Sequence, residues 1–468
     1  MKLAWVLSGF LSFTYTAAET ILQPKTFAKQ LVEYHPRAFQ ASLRPAFAQA
    51  SWLKAKGLTE PGFNLNYDRK TFDGKNYWNL LGGGLSIPTL YGIEIYSRFD
   101  HNSGQYMNPE NSVPMNGLYA GGLKVPLGNG LWQSKMRFER NKAFILQKTA
   151  PYEQKTELND LLHEGMEAYW TWVETYNIWI INRNASQISE EQFQTTRSAA
   201  MLGDRPLIDT VESHMQWQSR LLATNDALLN YRKHTQHLLT FIWQEYWKHL
   251  LEQGQGVPPL LDQLEEITNL VDSAAVNSDW MAENPLLMQF YNQTEILSKE
   301  LRFRQNQLLP KAEFKYNLLY DASQDFQALQ TIGTDYYKAG IGISFPIFMR
   351  QERAAVQYTR LKQQEVNWEI ADKQRQIAQK INANFQEYVL GLENARIQEG
   401  IQSSYQKLLD AEIIRFRSGE SSVFLLNQRE NMCFQSQAKR VSLEIKWRMA
   451  LIRLFHTRGD LLEKLILE

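Results

Sequence analysis

A single cysteine, Cys433, stands in the 468 residues of this chain, which excludes an intrachain disulfide, a paired-cysteine metal site and lipidation of an N-terminal cysteine. Net charge is missing as well: 50 basic and 50 acidic side chains cancel, so the clustered positive surface that a nucleic-acid partner requires is not supplied. After the first residues, no stretch approaches the about 18 consecutive apolar residues of a membrane-spanning helix. If the rest of the chain enters a membrane, it must do so as strands. Catalytic signatures are also absent, since there is no Gly-x-Ser-x-Gly, no phosphate-binding loop and no paired-cysteine motif. The run HEGME puts His163 and Glu167 one turn apart, but the zinc pattern needs a second histidine where Glu167 stands. A solvated helical face is the expectation there, and no enzyme activity, cofactor or metal is expected.

What is present is a globular composition, 44% hydrophobic and 21% charged, sufficient to bury a large core. The opening MKLAWVLSGFLSFTYTAA sets Lys2 before an apolar run and ends on small residues, the layout of an export leader, so the mature chain is expected to begin at Glu19.

The chain then repeats itself. HPRAFQASL begins at His35 and NPLLMQFYN at Asn284, and Pro36 and Pro285 stand 249 residues apart. Pro61 and Pro310 are separated by the same 249 residues, which indicates a duplicated unit. After each of these second prolines the pattern changes to alternation: Phe63, Leu65 and Tyr67 in the first copy, Ala312, Phe314, Tyr316 and Leu318 in the second. Partner strands follow, GLYAGGLKVP ending at Pro126 and YYKAGIGISFP ending at Pro346. In the latter, Tyr337, Ala339, Ile341, Ile343 and Phe345 oppose Lys338, Gly340, Gly342 and Ser344. That alternation suits a transmembrane barrel or an antiparallel sheet on a soluble core. The spacing shrinks to 220 residues at Pro126 and Pro346, so the first copy holds 29 additional residues between its strands. They read as an added hairpin or an outer loop. Within them the glycines Gly82 to Gly84 lack the Lys-Ser/Thr and the following helix of a phosphate cradle, so a close backbone approach or a loop is expected.

From Arg350 to Phe416 apolar residues such as Ile377, Ile381, Phe385, Val389 and Leu392 recur at mostly four-residue steps with no proline. A helix of that length reaches about 100 Å, the dimension of a coiled coil or a helical tube. Its counterpart in the first copy contains Pro151, where a kink or break is expected, and Tyr169, Trp170, Trp172 and Trp179, which read as packing. Sharp turns end both long helices: Gly203 and Gly419 suit the left-handed residue that closes a helix, with Asp204 or Ser422 capping the next one.

The two Asn/His-Pro helices, the strand ending GISFPIF, its partner GLKVPLGNG and the paired glycine turns together resemble the outer-membrane efflux-channel family, the TolC-type exit ducts, over about His35 to Phe455. The resemblance implies a mainly α fold with a membrane β-barrel, made of two repeats of helix, strand, strand, long helix, turn and helix. It implies a homotrimer whose chains each give four strands to one twelve-stranded barrel in the outer-membrane lipid bilayer, above a periplasmic α-helical barrel. The repeats would occupy 19–250 and 281–455, after a leader at 1–18, with a linker and belt segment at 251–280 and a tail at 456–468. Barrel strands fall near 62–70, 117–126, 312–321 and 335–347. A periplasmic adaptor, coupled to an inner-membrane pump or ABC exporter, would meet the tips at 202–207 and 418–423. On this chain those positions are Gly203, Asp204, Arg205, Pro206, Leu207 and Asp209, and Gly419, Glu420, Ser421, Ser422 and Val423. Leu425 and Gln428 replace the carboxylates of an acidic channel mouth, so the resemblance offers an apolar gate at Leu425, against simple helix packing. The rival to a channel is an exported coiled-coil spacer.

Overall fold

A computed structural model describes residues 20–264, 280–322 and 336–467. The expected leader lies outside these residues, as does the belt segment after Leu264. In chain order the elements are β1 (Thr20–Ile21), α1 (Pro24–Tyr34), α2 (Pro36–Ser42), α3 (Arg44–Gly57), β2 (Gly62–Phe72), β3 (Lys75–Pro88), β4 (Glu94–Ser103) and β5 (Leu118–Pro126). Then follow α4 (Lys135–Met201), α5 (Leu207–Leu239), α6 (Glu245–Glu252), β6 (Gly256–Val257), α7 (Pro285–Asn306), β7 (Lys311–Asp321), β8 (Tyr337–Ser344), α8 (Arg350–Arg417) and α9 (Val423–Arg458). The described residues form two compact units, one within 1–41, 155–280 and 376–468, the other within 42–154 and 281–375. Each unit draws on both sequence repeats, because the division falls within the long helices α4 and α8.

The two Pro-bearing starts are capped by different chemistry with the same result. Asn284 accepts the backbone N–H groups of Leu286 and Leu287 through Oδ1 at 3.1 and 3.2 Å. His35 accepts the N–H of Arg37 through Nδ1 at 3.1 Å. Each side chain satisfies donors that have no partner within the helix, and the proline at the first helical position loses nothing by lacking its own. Burial, then the Arg37 guanidinium, lowers the pKa of His35, which keeps Nδ1 free to accept.

Of the kink or break expected at Pro151, the break does not occur: α4 is one helix through it. A single proline removes one backbone bond from a 67-residue helix, at about 3 kcal/mol, while the turns on either side keep theirs and Ala150 beside it is buried.

In the first unit the core gathers α1, α4, α5, α6, α9 and the chain's C-terminal turns. Tyr169, Trp170 and Trp172 are fully buried there beside Leu22, Phe27, Leu31, Leu238, Ile445 and Phe455. Two of these aromatics use their polar atoms: the Tyr169 hydroxyl donates to the Leu22 carbonyl at 2.7 Å, and Trp172 Nε1 donates to Thr235 Oγ1 at 3.0 Å. Trp179 stacks on Tyr231 with centroids 5.6 Å apart. Packing is therefore the role of this cluster. β1 pairs in parallel with β6, and Leu461 and Leu465 of the C-terminal tail are buried in this core. Gly165 of the HEGME run admits α1: a Cβ there would lie 2.4 Å from Leu31 Cδ1.

The second unit holds one antiparallel sheet in the order β2-β3-β4-β5-β7-β8. The sheet of one chain thus has six strands, beside the four that the resemblance assigns to the barrel. Of the two readings of the 29 additional residues, the hairpin is the one found: they supply β3 and β4 inside the sheet, between β2 and β5. Alternating side chains and the short turn at Asp73 and Gly74 let β3 pair with β2 from Lys75 to Ser86 and with β4 from Asn79 to Pro88.

Candidate channel wall and helical tips

Register assigns each side chain of the sheet to a face, because successive residues point to opposite sides and paired residues share one. One face runs Leu65, Gly83, Phe99, Tyr119, Tyr320 through the successive pairs of β2, β3, β4, β5 and β7. Below that row come Phe63, Leu85 and Ser97, then Ile87, Ile95, Leu123, Tyr316 and Ala339. Aromatic rings meet along it, Phe99 to Tyr119 at 4.6 Å and Tyr316 to Tyr337 at 5.9 Å. Phe63, Leu65, Ile95, Ile341 and Ile343 are all exposed. An apolar face of this extent, left open to solvent by a single chain, needs lipid or protein against it.

The opposite face is small, polar and charged: Asn64, Gly84, Arg98 and Ala120 in one row, Ser86, Tyr96, Gly122 and Asn317 in another. Arg98 Nε donates to Asp100 at 2.7 Å, and Glu313 is bridged by Lys124 at 3.0 Å and Lys315 at 2.8 Å. Glycine makes room for these groups. A Cβ on Gly82 would lie 2.8 Å from Asp100 Oδ1, and one on Gly84 would lie 2.8 Å from the Ser97 carbonyl oxygen. The glycine triplet is therefore a close approach within a strand.

In the helical unit, both tips close with the same backbone motif. Gly203 has φ of +84° and Gly419 of +76°, the left-handed region that glycine enters without penalty. The N–H of Asp204 donates to the Ala199 carbonyl at 3.0 Å, and that of Glu420 to the Arg415 carbonyl at 2.9 Å. The starts of the return helices differ. Ser422 caps α9, its Oγ accepting the Leu425 N–H at 3.3 Å, whereas Pro206, without a side-chain cap, precedes α5. Asp204 does not cap, because its own N–H completes the end of α4 two residues before α5 is entered.

Arg205 links the tips: its Cζ sits 4.1 Å from the Phe416 ring centroid and its Nη1 is 3.8 Å from Asp209. Ser421 Oγ donates to the buried Glu412 carboxylate. Asp204, Pro206, Leu207, Glu420 and Gln428 are exposed, while Val423 is buried. Leu425 is 38% exposed and its neighbour Leu426 is buried, so Leu426 carries the packing within the chain. Sequence reasoning missed other exposed apolar groups at these tips, Leu202 at 79%, Ile208 and Phe424 among them. Only an amphipathic count that knew the helix neighbours would have flagged them.

Just inside the tips, a groove of about 340 Å³ is lined by Gln192, Thr196, Ser213, Phe416, Leu426 and Glu430. Burial raises the pKa of Glu430; Gln192 Nε2 donates to one of its oxygens, and Oε2 has no partner among the described residues. Cys433 is buried nearby, and burial pushes its thiol pKa up, which makes it unreactive. His163 is not on a solvated face: it stacks on His456 at 4.2 Å, and His456 Nε2 meets Asp160 at 2.8 Å. Among the described residues no group of three or more His, Cys, Asp or Glu could hold a metal ion, and no helix is long and apolar enough to cross a membrane.

No protein-family profile and no curated protein matches the sequence. Solved structures do match. The open-state MtrE outer-membrane channel of Neisseria gonorrhoeae superposes with a TM-score of 0.68 at 12% identity, over 94% of this chain and 89% of that one. The CmeC outer-membrane channel of Campylobacter jejuni gives 0.67 at 11% identity, over 98% and 94%. The outer-membrane protein VceC of Vibrio cholerae gives 0.66 at 12% identity, over 93% and 96%. This chain therefore has the fold of those outer-membrane proteins.

Proposed function

From a fold shared with outer-membrane channels, we propose that this chain is the exit duct of a tripartite efflux or type I secretion system in a Gram-negative outer membrane. Three copies share one barrel, their helices extend into the periplasm, and cargo moves passively through the lumen without any chemistry by the chain. A periplasmic adaptor docks on the tips and couples the duct to an inner-membrane pump or ABC exporter. Gly203, Asp204, Arg205, Pro206, Leu207 and Asp209, with Gly419, Glu420, Ser421, Ser422 and Val423, form the docking surface. Leu425 and Gln428 line the mouth, where an apolar side chain can close a pore by excluding water.

The single observation that carries this reading is the two-faced sheet, apolar on one side across every strand and polar on the other, with no spanning helix among the described residues. A sheet over a soluble core would bury its apolar face, yet Leu65, Ile341 and Ile343 remain 64 to 68% exposed.

The test is a planar-bilayer recording on detergent-purified mature protein, residues 19 to 468, with the mass of the complex measured on the same sample. Discrete conductance steps from a trimer are expected. Failure to insert into the bilayer would overturn the channel and favour an exported coiled-coil spacer.

A further inference from the structure

We infer that the hairpin β3–β4 is part of the membrane wall, so that the trimer closes an eighteen-stranded barrel with a much wider aqueous bore than four strands per copy would enclose. The inference rests on the channel reading above and extends it to the size of cargo that the membrane segment admits.

Placement is the first ground. β3 and β4 lie in the middle of the sheet, and β2 reaches β5 only through them. β3 pairs from Gly62↔Ser86 to Phe72↔Lys75 on one side, and from Asn79↔Ser103 to Pro88↔Glu94 on the other. A hairpin that capped the barrel would leave β2 beside β5 instead.

The second ground is that the two faces continue across the insertion without a change of sign. Leu81, Leu85 and Ile87 of β3 and Ile95 and Phe99 of β4 share the apolar face with Leu123 and Tyr316. Ser86, Gly84, Tyr96 and Arg98 share the polar face with Lys124 and Lys315. A soluble cap would have no reason to keep that register, since a one-residue slip would reverse every side chain.

Third, the polar face is cross-linked through the insertion. The Tyr96 hydroxyl of β4 reaches over β5 to hydrogen-bond Asn317 of β7. It passes above Gly122, where a Cβ would lie 2.2 Å from Asn317 Oδ1 and 2.6 Å from the Tyr316 carbonyl oxygen. The missing side chain on β5 and the hydroxyl on β4 fit one another.

Closure follows from the strand count. With five antiparallel pairings, β2 and β8 run in opposite directions. The β8 edge of one copy can therefore receive the β2 edge of the next as an ordinary antiparallel pair, leaving no open edge. At about 4.8 Å between strands and about 40° of tilt, eighteen strands give a backbone diameter of roughly 36 Å, against roughly 24 Å for twelve. Cross-section grows about twofold. Glycine at Gly340 and Gly342 on the polar face, with nothing within 4 Å of a Cβ on Gly340, leaves the bore open beside β8. Bulky hydrated cargo would pass the membrane segment unselected.

An electron-microscopy map of the unsubstituted protein in lipid nanodiscs tests this by counting strands. Eighteen in a trimer are expected. Twelve, whether from a trimer with the hairpin outside the wall or from a dimer, would overturn the inference. Single cysteines in a Cys433→Ser background separate the two readings. Ser86→Cys, Arg98→Cys and Lys315→Cys should react with a water-soluble maleimide, and Leu85→Cys, Phe99→Cys and Tyr316→Cys only with a lipid-confined one. Alternation on β7 with every β3 and β4 site open to water would refute the hairpin's place while keeping the channel. Loss of alternation on β7 as well would refute the channel itself.

Discussion

Arg205 offers a quantitative handle on how the two tips are held. Its guanidinium lies over the Phe416 ring at 4.1 Å while a terminal nitrogen stays 3.8 Å from Asp209, and both charged side chains are about three-quarters buried. A partly desolvated cation–π contact is worth about 1–2 kcal/mol, and the ion pair adds only about 0.5 kcal/mol because its geometry is loose. Replacing Arg205 with alanine therefore costs about 1–2 kcal/mol of contact between the end of α8 and the turn before α5. If joined tips are the closed form of the mouth, that loss raises the open-to-closed ratio about five- to thirtyfold per copy. Single-channel recording reads this directly as open fraction. Phe416→Leu should act in the same direction, and Arg205→Lys should be intermediate, since an ammonium keeps the charge but cannot stack its plane. The double variant Arg205→Ala/Phe416→Leu should open no more than the stronger single one. An unchanged open fraction in Arg205→Ala, or effects of the two substitutions that simply add, would refute the reasoning.

Three further outcomes are expected. Gly165→Ala gains about 1 kcal/mol of helix propensity but drives a Cβ to 2.4 Å from the fully buried Leu31, an overpacking cost of about 1–3 kcal/mol, so melting should fall and Leu31→Ala should abolish that Gly165→Ala effect. Glu430 has a raised folded-state pKa, so its charged form opposes folding: the stability it leaves intact below the unfolded carboxylate pKa is lost as pH rises through the folded value. Glu430→Gln should accordingly raise the melting temperature at pH 7 and leave it unchanged near pH 4, and an equal rise at both values would contradict this. Gly122→Ala should lower the heat stability of the assembled barrel by pushing β5 from the Tyr316 carbonyl, whereas Tyr96→Phe, which removes one hydrogen bond worth about 1 kcal/mol, should lower it less.

Much of this fold was legible in the chain because its signals are local. Alternation at Phe63, Leu65 and Tyr67 and at Tyr337, Ile341 and Ile343 needs only the two-residue period of a strand. Gly203 and Gly419 announce helix ends because a positive φ is cheap for glycine alone. Pro36 and Pro285 mark helix starts because their missing N–H groups cost nothing there. At Pro151 the local rule also allows a break that does not occur, since it counts the bond that proline removes and not the 67 residues of helix that tolerate its loss.

Tertiary structure decided what depends on partners distant in the chain. The 29-residue insertion could be read as a hairpin, but only the pairing of β4 with β5 put that hairpin inside the sheet and raised the strand count to six. Nothing local distinguishes Leu425 from Leu426, because which side of α9 faces α8 is set by packing. Likewise His163 meets His456 across 293 residues, and Arg205 meets Phe416 across 211. By itself, then, the sequence determined the repeat, the strand faces and the helix ends, all products of backbone propensity and periodicity. Register between strands, the buried side of each long helix and the charge neighbours of each titrating group came only with the folded chain, because those depend on contacts that close across hundreds of residues.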